Sequence, residues 1–155
     1  MRVDKTETGV ILTDIVLKVF RLEGGFMAAA EQIAAPAGLT AARWRVLGAV
    51  LHEHRTVAEI GRFMGLTRQS VQRLADVLVG EGLAMFLDNP SHKSAKLLAP
   101  TPAGHSAVAL LATRQAAWAN AVSQTFSAEQ LIQCRTMIEA ITSCVEATRI
   151  SPGEI

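Results

Sequence analysis

Thr67, Arg68, Gln69, Ser70, Gln72 and Arg73 crowd polar chemistry into seven positions of this chain. In a major groove, glutamine pairs with adenine through two bonds and arginine does the same with guanine. Threonine and serine hydroxyls bond phosphates or base edges. Spacing adds to residue type. Val71, Leu74, Ala75 and Leu78 recur at intervals of three, four and seven, so a helix over this stretch buries them and turns the polar set outward. Further along, His92, Lys93, Ser94 and Lys96 form a second polar cluster. They lie around a loop between two apolar runs, Leu83 to Leu87 and Lys96 to Ala99. That pattern predicts a hairpin beside the helix, with cations free to meet phosphate.

These residues need a frame. A short helix with apolar Val57, Ile60 and Phe63 or Met64 ends at Gly65, and Thr67 caps the next one. Helix, turn, helix and hairpin together predict a winged helix-turn-helix over residues 40–100. Upstream, after a frayed tail to about Gly9, Ile11, Ile15, Val19, Leu22, Phe26 and Ile33 stripe a long helix over 10–35. Gly24-Gly25 predicts a bend in it. Pro36 and Gly38 break the chain, and Thr40 caps a helix carrying Trp44, Leu47, Val50 and Leu51. Downstream, over 101–149, Thr101-Pro102 opens a helix through Val108, Leu111 and Trp118 to about Thr125. Ser127 to Gln130 has capping-box spacing and opens a last helix to about Arg149, before Pro152-Gly153 ends the structure.

The last helix carries Leu131, Cys134, Ile138, Ile141 and Val145 in alternating steps of three and four, a seam suited to a partner helix. The fold class is thus mainly α, one domain over 1–155. Its winged helix-turn-helix is joined to a helical dimerisation region built from the N- and C-terminal helices. Ile11 and Ile15 join that seam as interface residues. A symmetric homodimer carrying two reading helices matches a two-fold DNA site.

Composition narrows the alternatives. Half of the 155 residues are hydrophobic, tyrosine is absent, and the net charge is only +1. Any attraction to nucleic acid must therefore be local. From Arg55 to Lys96, six basic residues (Arg55, Arg62, Arg68, Arg73, Lys93, Lys96) face four acids (Glu59, Asp76, Glu81, Asp88), a modest excess of two. Cys134 and Cys144 have neither metal-ligand spacing nor a disulfide framework. His52-Glu53-His54 invites a metal, but it lacks a third ligand. No metal or cofactor is expected. No nucleophile, base and orienting group converge by spacing, and no glycine loop cradles phosphate, so enzyme activity is not expected. No secretory signal opens the chain, and no apolar run approaches the roughly 20 residues of a membrane span. A soluble, cytoplasmic protein without membrane contact is expected.

The segment GLTRQSVQRLADVLVGEGL, from Gly65 to Leu83, resembles the recognition helix of the MarR family of bacterial transcriptional regulators. Arg73, Leu74, Asp76 and Leu78 stand where that family commonly has arginine, leucine, aspartate and leucine. Ala95-Lys96-Leu97 and Thr101-Pro102-Ala103-Gly104 keep the frame of its wing and following helix, and the resemblance runs from about Ile11 to about Arg149. Two departures stand out. Lys93 and Ser94 occupy the wing tip where the family typically has two arginines, and the strand Ala84 to Leu87 lacks the usual charges. The minor-groove role of the family's wing arginine then falls on Lys93, with His92 beside it, and weaker or more salt-sensitive binding follows.

The resemblance implies a ligand-responsive repressor that binds a pseudo-palindromic operator as a homodimer. It also implies a crevice for a small aromatic or amphipathic effector. Phe20, Met27, Trp44, Arg45, His105 and Trp118 are the candidates to line it, with Arg45 and His105 as polar anchors. The aromatic members also suit a plain core. Peroxide sensors of the family resemble chains with a first-helix cysteine and tyrosine partners, and this chain has neither. The alternative is the same fold serving as a small-molecule or protein-binding module with weakened DNA binding.

Overall fold

The structure is a computed structural model that describes residues 4–148. The first three residues of the expected tail, Arg149 and Pro152-Gly153 lie outside the described residues. The chain forms two compact units, residues 1–115 and 116–155.

The first unit begins with α1 (Glu7–Ala34). It opens at Glu7 rather than past Gly9 because Thr6 caps it, its hydroxyl accepting the Gly9 N–H at 3.1 Å. Gly24 and Gly25 do not break the helix, since both lie inside one unbroken run of 28 residues. Each glycine costs about 1 kcal/mol of helix propensity, which propagation along so long a helix outweighs. A single 3₁₀ turn, Ala35–Ala37, leads to α2 (Ala41–Gly48). The Thr40 hydroxyl caps α2 at Arg43, and the Glu31 carboxylate accepts the Ala41 N–H at 2.7 Å. α2 is shorter than its apolar period predicts. Val50 and Leu51 fall in the turn beyond it, where Val50 is still fully buried.

The reading head follows: β1 (Arg55–Thr56), α3 (Val57–Met64), α4 (Arg68–Gly80), β2 (Ala84–Leu87) and β3 (Leu97–Pro100). The two strands of the expected hairpin pair antiparallel, from Ala84 opposite Pro100 to Leu87 opposite Leu97. A third strand was not foreseen. Thr56 pairs with Leu97 and Arg55 with Leu98, giving the sheet order β1-β3-β2. Leu47 and Val46 of α2, Ile60 of α3, Val71, Ala75 and Leu78 of α4, and Leu98 of β3 are all fully buried and form the core of the head.

α5 (Pro102–Ser123) starts where the sequence predicts. The Thr101 hydroxyl donates to the Gly82 carbonyl at 2.6 Å and accepts the Gly104 N–H at 3.1 Å. At Gly104 the backbones come so close that a Cβ would stand 2.0 Å from the Leu83 carbonyl oxygen. In the second unit, Ser127 and Gln130 form the expected capping box of α6 (Ala128–Ala147), and the Thr148 N–H closes onto the Cys144 carbonyl. Among the described residues, no helix is long and apolar enough to cross a membrane, and no three histidine, cysteine or acidic groups gather as a metal site.

α3 is held by a capping box whose charge can be tested. The Glu59 carboxylate accepts from the Thr56 N–H at 2.7 Å and the Thr56 hydroxyl at 2.8 Å. The backbone bond first, then the hydroxyl bond, hold its pKa below the ordinary carboxylate range, with help from Arg62 and Arg55. A group whose folded pKa is lowered adds stability above its unfolded pKa and loses it as pH falls through the folded value. Glu59→Ala is therefore expected to lower the urea midpoint at pH 7, by the equivalent of about 1 kcal/mol. The gap to the parent should be smaller in acid below the ordinary carboxylate range than at pH 7. An equal gap at both pH values would remove the carboxylate from this role.

Candidate nucleic-acid interface

α4 is built to present its first two turns. The Thr67 hydroxyl accepts the Ser70 N–H at 3.1 Å and donates to the Ser70 hydroxyl at 2.9 Å. Thr67 and Ser70 thus tie down the helix start. The turn from α3 is tight, with the Leu66 N–H on the Gly61 carbonyl at 2.8 Å. A Cβ on Gly61 would sit 2.8 Å from the Leu66 carbonyl oxygen, so this close crossing of α3 and α4 needs glycine. With Val71, Ala75 and Leu78 in the core, Arg68, Gln69 and Arg73 stand exposed and Gln72 half-buried.

Arg68 and Gln72 of α4 do not face open solvent alone. They line a cleft of about 370 Å³ together with Ser94 and Lys96 of the wing, Phe86 of β2 and residues 56–58 at the start of α3. No carboxylate lines this cleft. Among the described residues, neither Arg68 nor Lys96 is in an ion pair. Two uncompensated cations beside a helix start, where partial positive charge collects, make a cleft suited to a phosphodiester. Gln72 adds an amide. Its Nε2 donates to Asp76 Oδ1 at 2.8 Å. Asp76 thus meets the Gln72 amide, and among the described residues it is in no ion pair with Arg73.

The wing loop is shaped by its own turns. Asn89 Oδ1 accepts the Ser91 N–H at 2.9 Å, and the Ala95 N–H reaches the His92 carbonyl. His92 and Lys93 stand exposed in this loop, outside the lining of the cleft. The structure therefore gathers Arg68, Gln72, Ser94 and Lys96. It leaves Gln69 and Arg73 on the outer helix face and His92 and Lys93 along the loop.

Not every cation near the head is available. Arg55 pairs with Glu53 at 2.7 Å, donates to the Ala49 carbonyl, and lies 4.4 Å over the Phe63 ring. Arg43 binds the Glu81 carboxylate, the Gly38 carbonyl at 2.9 Å and the Thr40 hydroxyl. It thereby fastens the C-terminal end of α4 to the entry of α2. The start of α3 was missed as part of the site because β1, which precedes it, is only two residues long.

Of the crevice candidates, Met27 and Arg45 meet. Arg45 donates to Met27 Sδ at 3.3 Å and to the Met64 carbonyl at 3.1 Å, joining α1 to the last residue of α3. Trp44 is half-buried, while Phe20 and His105 are exposed; Trp118 belongs to the second unit and is half-buried there. Along the expected seams, Ile11, Leu131, Ile138 and Val145 are exposed, and Ile15 and Ile141 are partly so. Both cysteines are exposed.

Comparison with known proteins agrees with this geometry. A sequence profile of the MarR family matches residues 37–93. The uncharacterized protein Rv2011c of Mycobacterium tuberculosis is 33% identical over 135 residues, 87% of this chain and 94% of that protein. The fold is similar to that of a MarR-family transcriptional regulator from Rhodococcus sp. RHA1, with TM-score 0.72 and 21% identity over 89% of this chain and 96% of the other. CouR from Rhodococcus jostii RHA1, solved bound to p-coumaroyl-CoA, superposes with TM-score 0.71 at 22% identity, covering 82% of this chain and 90% of its own. NMB1585, a MarR family regulator from Neisseria meningitidis, gives 0.72 at 20% identity over 88% and 94%. With the MarR-family profile over its reading head and a winged helix-turn-helix fold, the chain belongs to the MarR family and is built as a DNA-binding transcriptional regulator.

Proposed function

We propose that the protein is a homodimeric repressor that binds a pseudo-palindromic operator and releases it when a small molecule binds. The observation that carries the DNA-reading part is the cleft in which Arg68, Gln72 and Lys96 converge, with neither cation in an ion pair among the described residues. Recognition helix and wing then share one stretch of backbone. α4 supplies base contacts from Gln72 and Gln69, and Arg68 and Lys96 hold phosphate. His92, Lys93 and Ser94 extend the backbone contact along the wing, and Arg73 extends it along α4. Thr67 and Ser70 keep the helix start in place.

Dimerisation is supported by apolar surface that each protomer leaves uncovered. Ile138 and Val145 of α6 are 52% and 63% exposed, and Ile11 of α1 is 54% exposed. Stripes of that kind on each terminal helix match a second copy of the same chain, with Ile15 on α1 and Leu131, Cys134 and Ile141 on α6. An effector is supported by CouR, a protein of this fold bound to p-coumaroyl-CoA. Phe20, Met27, Trp44, Arg45 and His105 of the first unit are the residues proposed to meet it. Release follows if the effector favours a head spacing that mismatches the operator, since a ligand shifts an equilibrium only by its differential affinity.

The test is a fluorescence titration of the protein's own promoter DNA against a scrambled duplex at moderate salt, paired with light scattering. Preference for the promoter and a mass of twice the 16.6 kDa chain are expected. Equal affinity for both duplexes removes operator reading and leaves the rival role, a binding module of the same fold. A monomer mass at micromolar concentration removes the homodimer.

A further inference from the structure

We propose that Asp76 is a positioning residue that fixes the Gln72 amide for two-bond pairing with adenine and against guanine. The inference rests on the DNA-reading role proposed above and specifies what base that site selects.

Gln72 and Asp76 lie one helical turn apart, with Gln72 Nε2 and Asp76 Oδ1 2.8 Å apart. A carboxylate only accepts hydrogen bonds, so the amide atom facing it must be the nitrogen. That contact settles which way round the amide stands. A glutamine amide has one oxygen acceptor and two N–H donors. One N–H goes to Asp76. What is left is an oxygen and a single N–H, side by side. Adenine shows the complementary pair in the major groove, an N6–H donor next to the N7 acceptor. Guanine shows two acceptors, O6 and N7, and would call on both N–H groups of the amide. With one of them held by Asp76, guanine can be offered only one, and the amide oxygen is turned against a guanine acceptor.

The placement of Asp76 favours this role over a structural one. Its side chain is exposed, so it fills no part of the core. Among the described residues it is in no ion pair, although Arg73 is three positions away. An unpaired carboxylate on a helix that approaches phosphates weakens general DNA affinity. Its contact with Gln72 gives that cost a use. Gln72 in turn lines the cleft beside Arg68, one turn earlier, so phosphate and base contacts sit on one stripe of α4.

The experiment uses the full-length protein with Gln72→Ala, Asp76→Ala and the double variant. Affinity for the footprinted promoter half-site is measured at fixed salt. Each adenine is replaced in turn by 7-deazaadenine, which lacks the N7 acceptor, or by guanine with its paired base. The parent should show one adenine per half-site at which either change weakens binding about tenfold. Gln72→Ala should abolish that difference. Asp76→Ala should cut the adenine-over-guanine ratio at that step alone by several-fold, and should leave the ratio untouched in the Gln72→Ala background. Loss of negative charge raises affinity for all sequences alike, and a folding defect lowers it for all alike, so neither moves this ratio. An unchanged ratio in Asp76→Ala, or a guanine preference at the Gln72-dependent step, overturns the inference while leaving operator reading intact. A parent protein with no preference for its promoter overturns operator reading itself, and this inference with it.

Discussion

Gly104→Ala is expected to lower stability by about 3 kcal/mol, the upper end of the usual cost of overpacking. The added methyl carbon would stand 2.0 Å from the Leu83 carbonyl oxygen, and that obstacle is backbone rather than a side chain able to rotate away. Nor can the start of α5 drift outward. Thr101 is pinned on both sides, its N–H on the Leu83 carbonyl at 3.1 Å and its hydroxyl on the Gly82 carbonyl at 2.6 Å. In a chain of 155 residues such a loss lowers the melting temperature by roughly 6–12 °C, at about 2–4 °C per kcal/mol. Gly80→Ala is the matched control. Nothing lies within 4 Å of a Cβ there, and alanine is the better helix former, so Tm should hold or rise slightly. A Gly104→Ala protein melting within about 2 °C of the parent would mean that α5 can shift to admit a methyl group.

Removing Arg68 and Lys96 together should have the largest effect on DNA binding. Every phosphate that goes unneutralised flattens the slope of log affinity against log salt by about 0.9. In the proposed homodimer the double alanine variant removes two phosphate-binding cations from each of two protomers, so the slope should fall by about 3.6. Promoter and scrambled duplex should weaken alike, because phosphates carry no sequence. Salt titrations of both duplexes measure it. A slope within about one unit of the parent's would place the phosphate-binding cations outside this cleft.

How far these features could be read in the sequence varied with how local their causes are. α4 was legible because its cap, apolar period and preceding Gly65 all lie within one short window. The hairpin was legible because its strands flank a single polar loop. β1 was not, since two residues show no alternation and their partners in β3 lie some forty positions away. The same holds for side chains. Arg68 and Gln72 were placed on the outer face by period alone, but their meeting with Lys96 depends on where the wing folds back. Loop turns at Asn89 and His92 decide which wing residues reach the cleft, and no helical or strand period governs them. Asp76 has Gln72 and Arg73 both within reach by helical spacing, and side-chain geometry rather than spacing selects Gln72. The tie from Arg45 to Met27 and Met64 joins three helices distant in sequence, beyond any local pattern.

The fastening at Arg43 has a mechanical consequence. It holds the C-terminal end of α4 through Glu81, while the reading residues cluster near the other end. At 1.5 Å per residue, the 13 residues of α4 make an arm about 20 Å long. A tilt of about 10° about the fastened end would carry the opposite end through roughly 3.5 Å, close to the roughly 3.4 Å that separates successive bases along a strand. For a reader of bases that is a displacement of one full letter, so the tight Gly61–Leu66 turn and the fully buried Val71, which hold this end of α4 against such a tilt, also hold the letter being read.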